Sequence, residues 1–244
     1  VPAKAVEFYD QGKAFWKEIE INKAIEAFTR AIEIHPSYTD ALAERGSIYF
    51  LIRKFSLAIA DLDKVLAAQS KNAKCLYYRG SAFTELAIAK REDDDDQRSA
   101  ADLAQRALAD LNKAIEISPR EYLYYNGRGQ LLLEFEYFKE ARADLEKSLS
   151  IEPNFVAHTY LGLAKHYLED ETAMAEVEKA IKLYPKFGEA HYARAIINRD
   201  NGNLKNAISD LNEALKLSNN NEKYYNIRGM LFFRLQDGNA AVAD

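Results

Sequence analysis

Few side chains in this 244-residue chain could do chemistry, and they are scattered. The densest group is the run from Lys90 to Ser99, KREDDDDQRS, which carries eight charges and four consecutive aspartates. Such carboxylates could hold a hard cation such as Ca²⁺. An EF-hand loop, however, needs alternating oxygen ligands, a central glycine and a distal bidentate glutamate, and this run has none of that spacing. It reads instead as a solvated cap, with a docking knob for a basic partner as the other option. The histidines are His35, His158, His166 and His191; His158 and His191 hold equivalent places in neighbouring segments, so their rings could approach, but no third zinc ligand accompanies them and packing is the favoured reading. Cys75 is alone, so an intrachain disulfide is excluded, and a small core residue is a better account of it than a nucleophile. No P-loop, G-x-G-x-x-G, H-E-x-x-H, G-x-S-x-G or C-x-x-C occurs. Neither catalysis, nor a metal, nor a cofactor is expected.

The bulk numbers narrow the rest. Apolar residues make up 48% of the chain, enough for a sizeable core. The formal charge of −5 lacks the basic footprint of a nucleic-acid binder, and no stretch of about eighteen apolar residues offers a membrane span. A single cysteine fits a reducing compartment, so a cytoplasmic location is expected. The chain opens on Val1–Pro2, which suggests a trimmed N-terminus from which a signal peptide could also have gone. Five prolines and ten glycines are few, and lean toward helix.

What must position any functional side chain is a repeat. The phrases AIEIHPSY, AIEISPRE, SLSIEPNF and AIKLYPKF recur around Pro36, Pro119, Pro153 and Pro185, and VLAAQSKN and ALKLSNNN are the same phrase without proline. Upstream of each stands a small residue, then a large apolar one four places on, then another small one three places further. The sets are Ala24, Phe28, Ala31; Ala58, Leu62, Val65; Ala107, Leu111, Ala114; Ala141, Leu145, Ser148; Ala173, Val177, Ala180; and Ala207, Leu211, Ala214. Spacings of four and three put each set on one helical face. A second phrase, as in LAERGSIYF or YNIRGMLFF, places glycine or alanine in mid-helix, which costs about 1 kcal/mol unless a neighbouring helix needs the room.

A period near 34 residues with two helices per period, carried in the first unit by Gly12, Phe15, Ala24, Phe28, Ala31 and Pro36 and recurring through Gly46, Gly80, Gly129, Gly162, Ala195 and Gly229, resembles the tetratricopeptide repeat (TPR). The resemblance implies an all-α right-handed solenoid, one domain over 1–244. The repeats fall at 5–38, 39–72, 73–121, 122–155, 156–187, 188–221 and 222–244. The fifth is two residues short and the seventh stops inside its second helix, which suggests a fragment or a missing cap. The third carries about fifteen extra residues, 87–101, so its two helices should extend by about two turns with the aspartates at the tip. Asp95, Asp96 or Ser99 would cap the second helix.

Arginine precedes the mid-helix small residue at 45, 79, 128, 194 and 228. Aspartate precedes the large apolar residue, or its place, at 61, 110, 144, 210 and 244. The separation is sixteen residues in four repeats and thirty-one in the third, and the first and fifth repeats lack both. The co-occurrence predicts bridges Arg45–Asp61, Arg79–Asp110, Arg128–Asp144 and Arg194–Asp210 between the two helices of a repeat, with Arg228–Asp244 completing the set.

The resemblance further implies a non-enzymatic scaffold that binds a protein or peptide on the concave wall lined by the first helix, A, of each repeat. Carried over position by position, that wall holds Tyr9, Lys13, Trp16, Phe50, Tyr77, Tyr78 and Ser81, then Asn126, Gln130, Tyr160, Tyr192, Arg199 and Phe233. It is rich in aromatic anchors and suits an apolar or aromatic partner segment. Burial between repeats is the other reading for Tyr77, Tyr192 and Trp16. Chaperone-binding members grip a terminal carboxylate at the positions of Tyr9, Lys13, Glu44, Lys74 and Tyr78. Only Lys74 agrees, and Glu44 would repel a carboxylate. The alternative role is structural, an assembly factor docking through the acidic hairpin or the ends of the array.

Overall fold

The structure, a computed structural model, describes residues 1–91, 97–218 and 221–235. Its regular elements are α-helices: α1 (Ala3–Lys17), α2 (Ile21–Ile34), α3 (Thr39–Leu51), α4 (Phe55–Ala68), α5 (Ala73–Arg91), α6 (Gln97–Ile117), α7 (Tyr122–Glu134), α8 (Phe138–Ile151), α9 (Phe155–Tyr167), α10 (Ala173–Leu183), α11 (Gly188–Asp200), α12 (Leu204–Leu217) and α13 (Glu222–Arg234). They divide into two compact units, Val1–Gly127 and Arg128–Asp244, the border falling inside α7.

In the first unit α1 packs on α2, α3 on α4 and α5 on α6, while α2–α3, α4–α5 and α3–α5 contacts join the pairs. In the second, α9 packs on α10 and α11 on α12, joined through α8–α9, α10–α11, α9–α11 and α12–α13. Each pair closes on the stripe visible in the sequence. Every member of the six small–large–small sets is at most 5% exposed. A fully buried leucine such as Leu62 contributes about 1.5–3 kcal/mol through its area alone.

The mid-helix glycines have a packing reason. A Cβ on Gly46 would stand 3.0 Å from Leu62, and one on Gly129 would stand 2.8 Å from Leu145. Absence of a side chain therefore lets the large residue of the second helix press against the backbone of the first.

The first helix of a pair ends in one recurring way. Ile19, Arg53, Glu136, Glu169 and Gly202 all have φ between 58° and 78°. The amide of Ile19 donates to Trp16 O and that of Glu20 to Phe15 O, the hydrogen bonds of a Schellman ending, and the others repeat the pattern. The corresponding place in the third repeat is Ala87, which stays inside α5. There the chain runs on: α5 has 19 residues against 13 in α3, and α6 has 21 against 14 in α4. Ser99 lies within the first turn of α6 and so is not its cap; Asp95 and Asp96 fall outside the described residues.

Candidate interaction surface

Four of the helix pairs are braced by an arginine–aspartate bridge. Arg45 donates through Nε and Nη2 to the two oxygens of Asp61 at 2.7 and 2.8 Å, Arg79 reaches Asp110 at the same distances, and Arg128 reaches Asp144 at 2.7 Å on both arms. Arg194 donates to Asp210 at 2.6 and 3.0 Å. The carboxylates are 5–10% exposed and the guanidiniums 13–31%. Two-oxygen bidentate geometry in the first three, and partial burial in all four, make these pairs stronger than surface bridges; in the fourth, both Arg194 nitrogens share Asp210 Oδ1 while Asn198 donates to Oδ2. Burial disfavours the Arg45 cation, yet the Asp61 bond prevails and its pKa is raised. Asp244 lies outside the described residues.

Some of the arginines also reach backward. Arg45 donates to Thr29 at 2.9 Å, Arg79 to Asp63 at 2.6 Å and Arg228 to Asn212, each sixteen residues earlier. These partners sit on the second helix of the preceding pair, so the Arg45 and Arg79 guanidiniums each clamp their own repeat and the one before it. A polar residue sixteen places upstream was the available signal in the sequence.

The fifth repeat needs a correction. Leu161 replaces its arginine, but Glu176 stands at the acid position and is 7% exposed. It accepts from Lys165 Nζ at 3.0 Å, pairs with His158 Nδ1 at 2.7 Å and accepts from Lys179 at 3.1 Å. Burial opposes ionisation of Glu176, but these bonds outweigh it and hold the carboxyl below its usual range. Lys165 thus supplies from one turn later what the arginine supplies elsewhere. His191 is engaged separately, its Nε2 lying 2.9 Å from Pro185 O. Among the described residues no three His, Cys, Asp or Glu side chains converge as a metal site would require.

On the first unit the A-helix residues form two ring groups. Tyr9 of α1 stands 5.2 Å from Tyr38 and 5.8 Å from Phe28, with Lys13 Nζ 4.5 Å above its ring. Phe50 of α3 stands 5.6 Å from Tyr78 of α5; Tyr78 is 5.2 Å from Tyr77, and Tyr77 is 5.2 Å from Tyr124. Tyr9, Trp16, Phe50, Tyr77 and Tyr78 are half-buried, whereas Tyr124 is buried. Burial pushes the Tyr124 phenol up to about 12 and the Cys75 thiol up to about 11, and raises Tyr77 strongly. Ser81 and Asn126, at 8% and 4% exposure, lie inside this wall rather than on it. Lys13 pairs with Asp10 at 3.0 Å, Lys74 with Glu44 at 3.4 Å and Arg53 with Glu85 at 3.3 Å, so each of these cations faces an acid of its own.

On the second unit Tyr192 stacks on Tyr224 at 4.9 Å with Lys223 Nζ 5.3 Å from its ring, and Tyr160 packs against the core. Arg199 donates to Asp200 at 2.6 Å, and His166 Nε2 lies 2.8 Å from the same carboxylate. Gln130 is half-buried, and Phe233 is 76% exposed.

Models of the tetratricopeptide repeat match residues 9–73, 171–222 and 122–155, more than half of the chain. Among curated proteins, the chain is 25% identical to the human mitochondrial import receptor subunit TOM70, aligning 91% of itself to 36% of that receptor. It is 24% identical to Hsp70-Hsp90 organizing protein 3 of Arabidopsis thaliana, over 95% of itself and 40% of that protein. The chain thus spans well under half the length of these relatives. Among solved structures, a tetratricopeptide repeat protein of Parabacteroides merdae superposes with a TM-score of 0.72 at 18% identity, covering 98% of this chain and 90% of the other. The Cut9 and Hcn1 hetero-tetramer of the APC/C gives 0.73 at 16% identity, covering 93% of this chain and 42% of that one.

Proposed function

The chain belongs to the tetratricopeptide repeat family, and from that premise we propose that it is a non-enzymatic scaffold, one array of seven repeats, whose A-helix face holds a segment of a protein partner. Proteins of this fold generally mediate protein–protein interaction. The observation that carries the finer reading is the half-buried row Phe50–Tyr78–Tyr77 across α3 and α5, the first helices of two successive repeats. Rings fixed against one another lose little freedom on binding and offer large apolar area, the properties of interface anchors. Neighbouring charges are paired among themselves, which favours an apolar or aromatic segment over a strongly charged one. The comparison with an import receptor subunit and a chaperone organizing protein supports a role in handling other proteins.

The test is a selection of random displayed peptides on the immobilised protein, followed by anisotropy titration of the enriched peptides. Phe50→Ala/Tyr78→Ala and Tyr192→Ala variants, checked for unchanged helicity, should bind at least tenfold more weakly. Peptides that bind the variants as well as the wild type would overturn this reading. The alternative, docking through the α5–α6 hairpin, would then be favoured if removal of residues 92–96 abolished capture.

A further inference from the structure

We propose that Glu44 of α3, paired across to Lys74 on the α5 face that also carries Tyr78, receives an arginine or lysine side chain of the bound segment. The inference rests on the peptide-binding reading above and narrows it: the partner segment is apolar with a basic residue, not an acidic one.

Four observations lead there. Among the described residues Glu44 pairs with Lys74, at 3.4 Å, well beyond the 2.7–2.8 Å of the Arg45–Asp61 pair. Lys74 is 55% exposed and Glu44 28%, so their pair contributes little and gives way at little cost. Lys74 and Tyr78 stand four residues apart on one face of α5, so the carboxylate that Lys74 meets is turned toward the face that carries Tyr78, and Glu44 is, after burial, among the charges that raise the phenols of Tyr9 and Tyr78. A cation already rests on one of those rings, since Lys13 Nζ lies 4.5 Å from the Tyr9 centroid.

A carboxylate on a surface that also carries aromatic rings is a complementary site for guanidinium. The planar group takes both carboxylate oxygens while its face lies on a ring, and an ammonium obtains the charge and part of the ring contact. A carboxylate ligand obtains neither here. Glu44 repels it, and Lys13 and Arg53 are occupied by Asp10 and Glu85. Lys74 consequently acts as an intramolecular competitor that an incoming basic side chain displaces.

This makes the sign of one variant diagnostic. Random nonapeptides are displayed on the wild-type chain and on Glu44→Gln, Lys74→Ala and Tyr78→Ala, with helicity verified for each. Wild type should enrich peptides carrying arginine or lysine beside apolar residues. Glu44→Gln should keep the apolar preference and lose the basic one, its affinity for an arginine peptide falling about tenfold. Lys74→Ala should bind that peptide several-fold more tightly, whereas a carboxylate-gripping role for Lys74 requires the opposite. Enriched peptides that depend on Tyr78 but lack basic residues, or that bind Lys74→Ala more weakly, would sink this proposal and leave the A-helix face standing as the binding site. An absence of enriched peptides, or indifference to Tyr78→Ala, would remove both.

Discussion

At the scale of the residue, the structure separates side chains that hold the fold from those free to bind. Arg128 and Asp144 belong to the first kind. Removing the guanidinium strands a carboxylate that is 9% exposed, and Arg128→Ala should cost about 2–3 kcal/mol in urea unfolding. Asp144→Asn, which keeps the shape and drops the charge, should cost less. A second prediction concerns Ile19. It is β-branched, 76% exposed and at φ 61°, a conformation that costs an ordinary L-residue about 1–2 kcal/mol. Asparagine tolerates that region, so Ile19→Asn should stabilise the first unit by up to about 1 kcal/mol, visible as a raised midpoint at unchanged m-value. Hydrophobic patterning held no warning of this strain, because the left-handed turn is imposed by the geometry between α1 and α2.

Helix pairs raise a different question, how closely two backbones approach. Gly129→Ala would place a methyl 2.8 Å from Leu145 and force a shift of a side chain that is fully buried. Overpacking of this kind costs about 1–3 kcal/mol, more than the helix propensity of alanine returns, so the variant should unfold earlier in a thermal scan. At this scale the sequence was most readable. The small–large–small stripes mark the buried faces because period and burial are the same fact for a helix. The Arg–Asp spacing was readable for a related reason, as a polar pair recurring at fixed distance inside apolar surroundings. The backward reach of Arg45 to Thr29 and Arg79 to Asp63 was not read, although the spacing is again sixteen. Threonine, aspartate and asparagine share that place by hydrogen-bonding capacity rather than identity, and a search for one residue type passes over them. Glu176 escaped for the same reason, with Lys165 answering it from a different helical turn. On the interaction surface, aromatic type was legible but exposure was not. Ser81 and Asn126 share their register with exposed residues, and only packing shows that they are buried.

Across the whole molecule, pH should act unevenly. Asp170, Glu176, Asp200 and Glu213 have carboxyls below their ordinary range, and all four belong to the second unit. A depressed carboxyl contributes stability that is complete above the unfolded value, about 4, and is lost as pH falls through the folded one. Hydrogen exchange followed from pH 7 to 3 should therefore show amides of the second unit losing protection below about pH 4. Glu176→Gln should flatten that acid limb, and a limb unchanged by the substitution would refute the assignment.

The clamp that links successive repeats also defines where one is missing. Leu161 leaves the seam between α8 and α9 without a guanidinium at that place, and Arg142 crosses to Asp170 in the turn after α9 at 3.1 Å, with 38% and 24% of the two side chains exposed. An exposed pair is screened by salt where a half-buried bidentate one is not. The second unit therefore carries a fault line whose strength depends on ionic strength. Stretched in an optical trap, the α8–α9 seam should part at lower force as salt is raised.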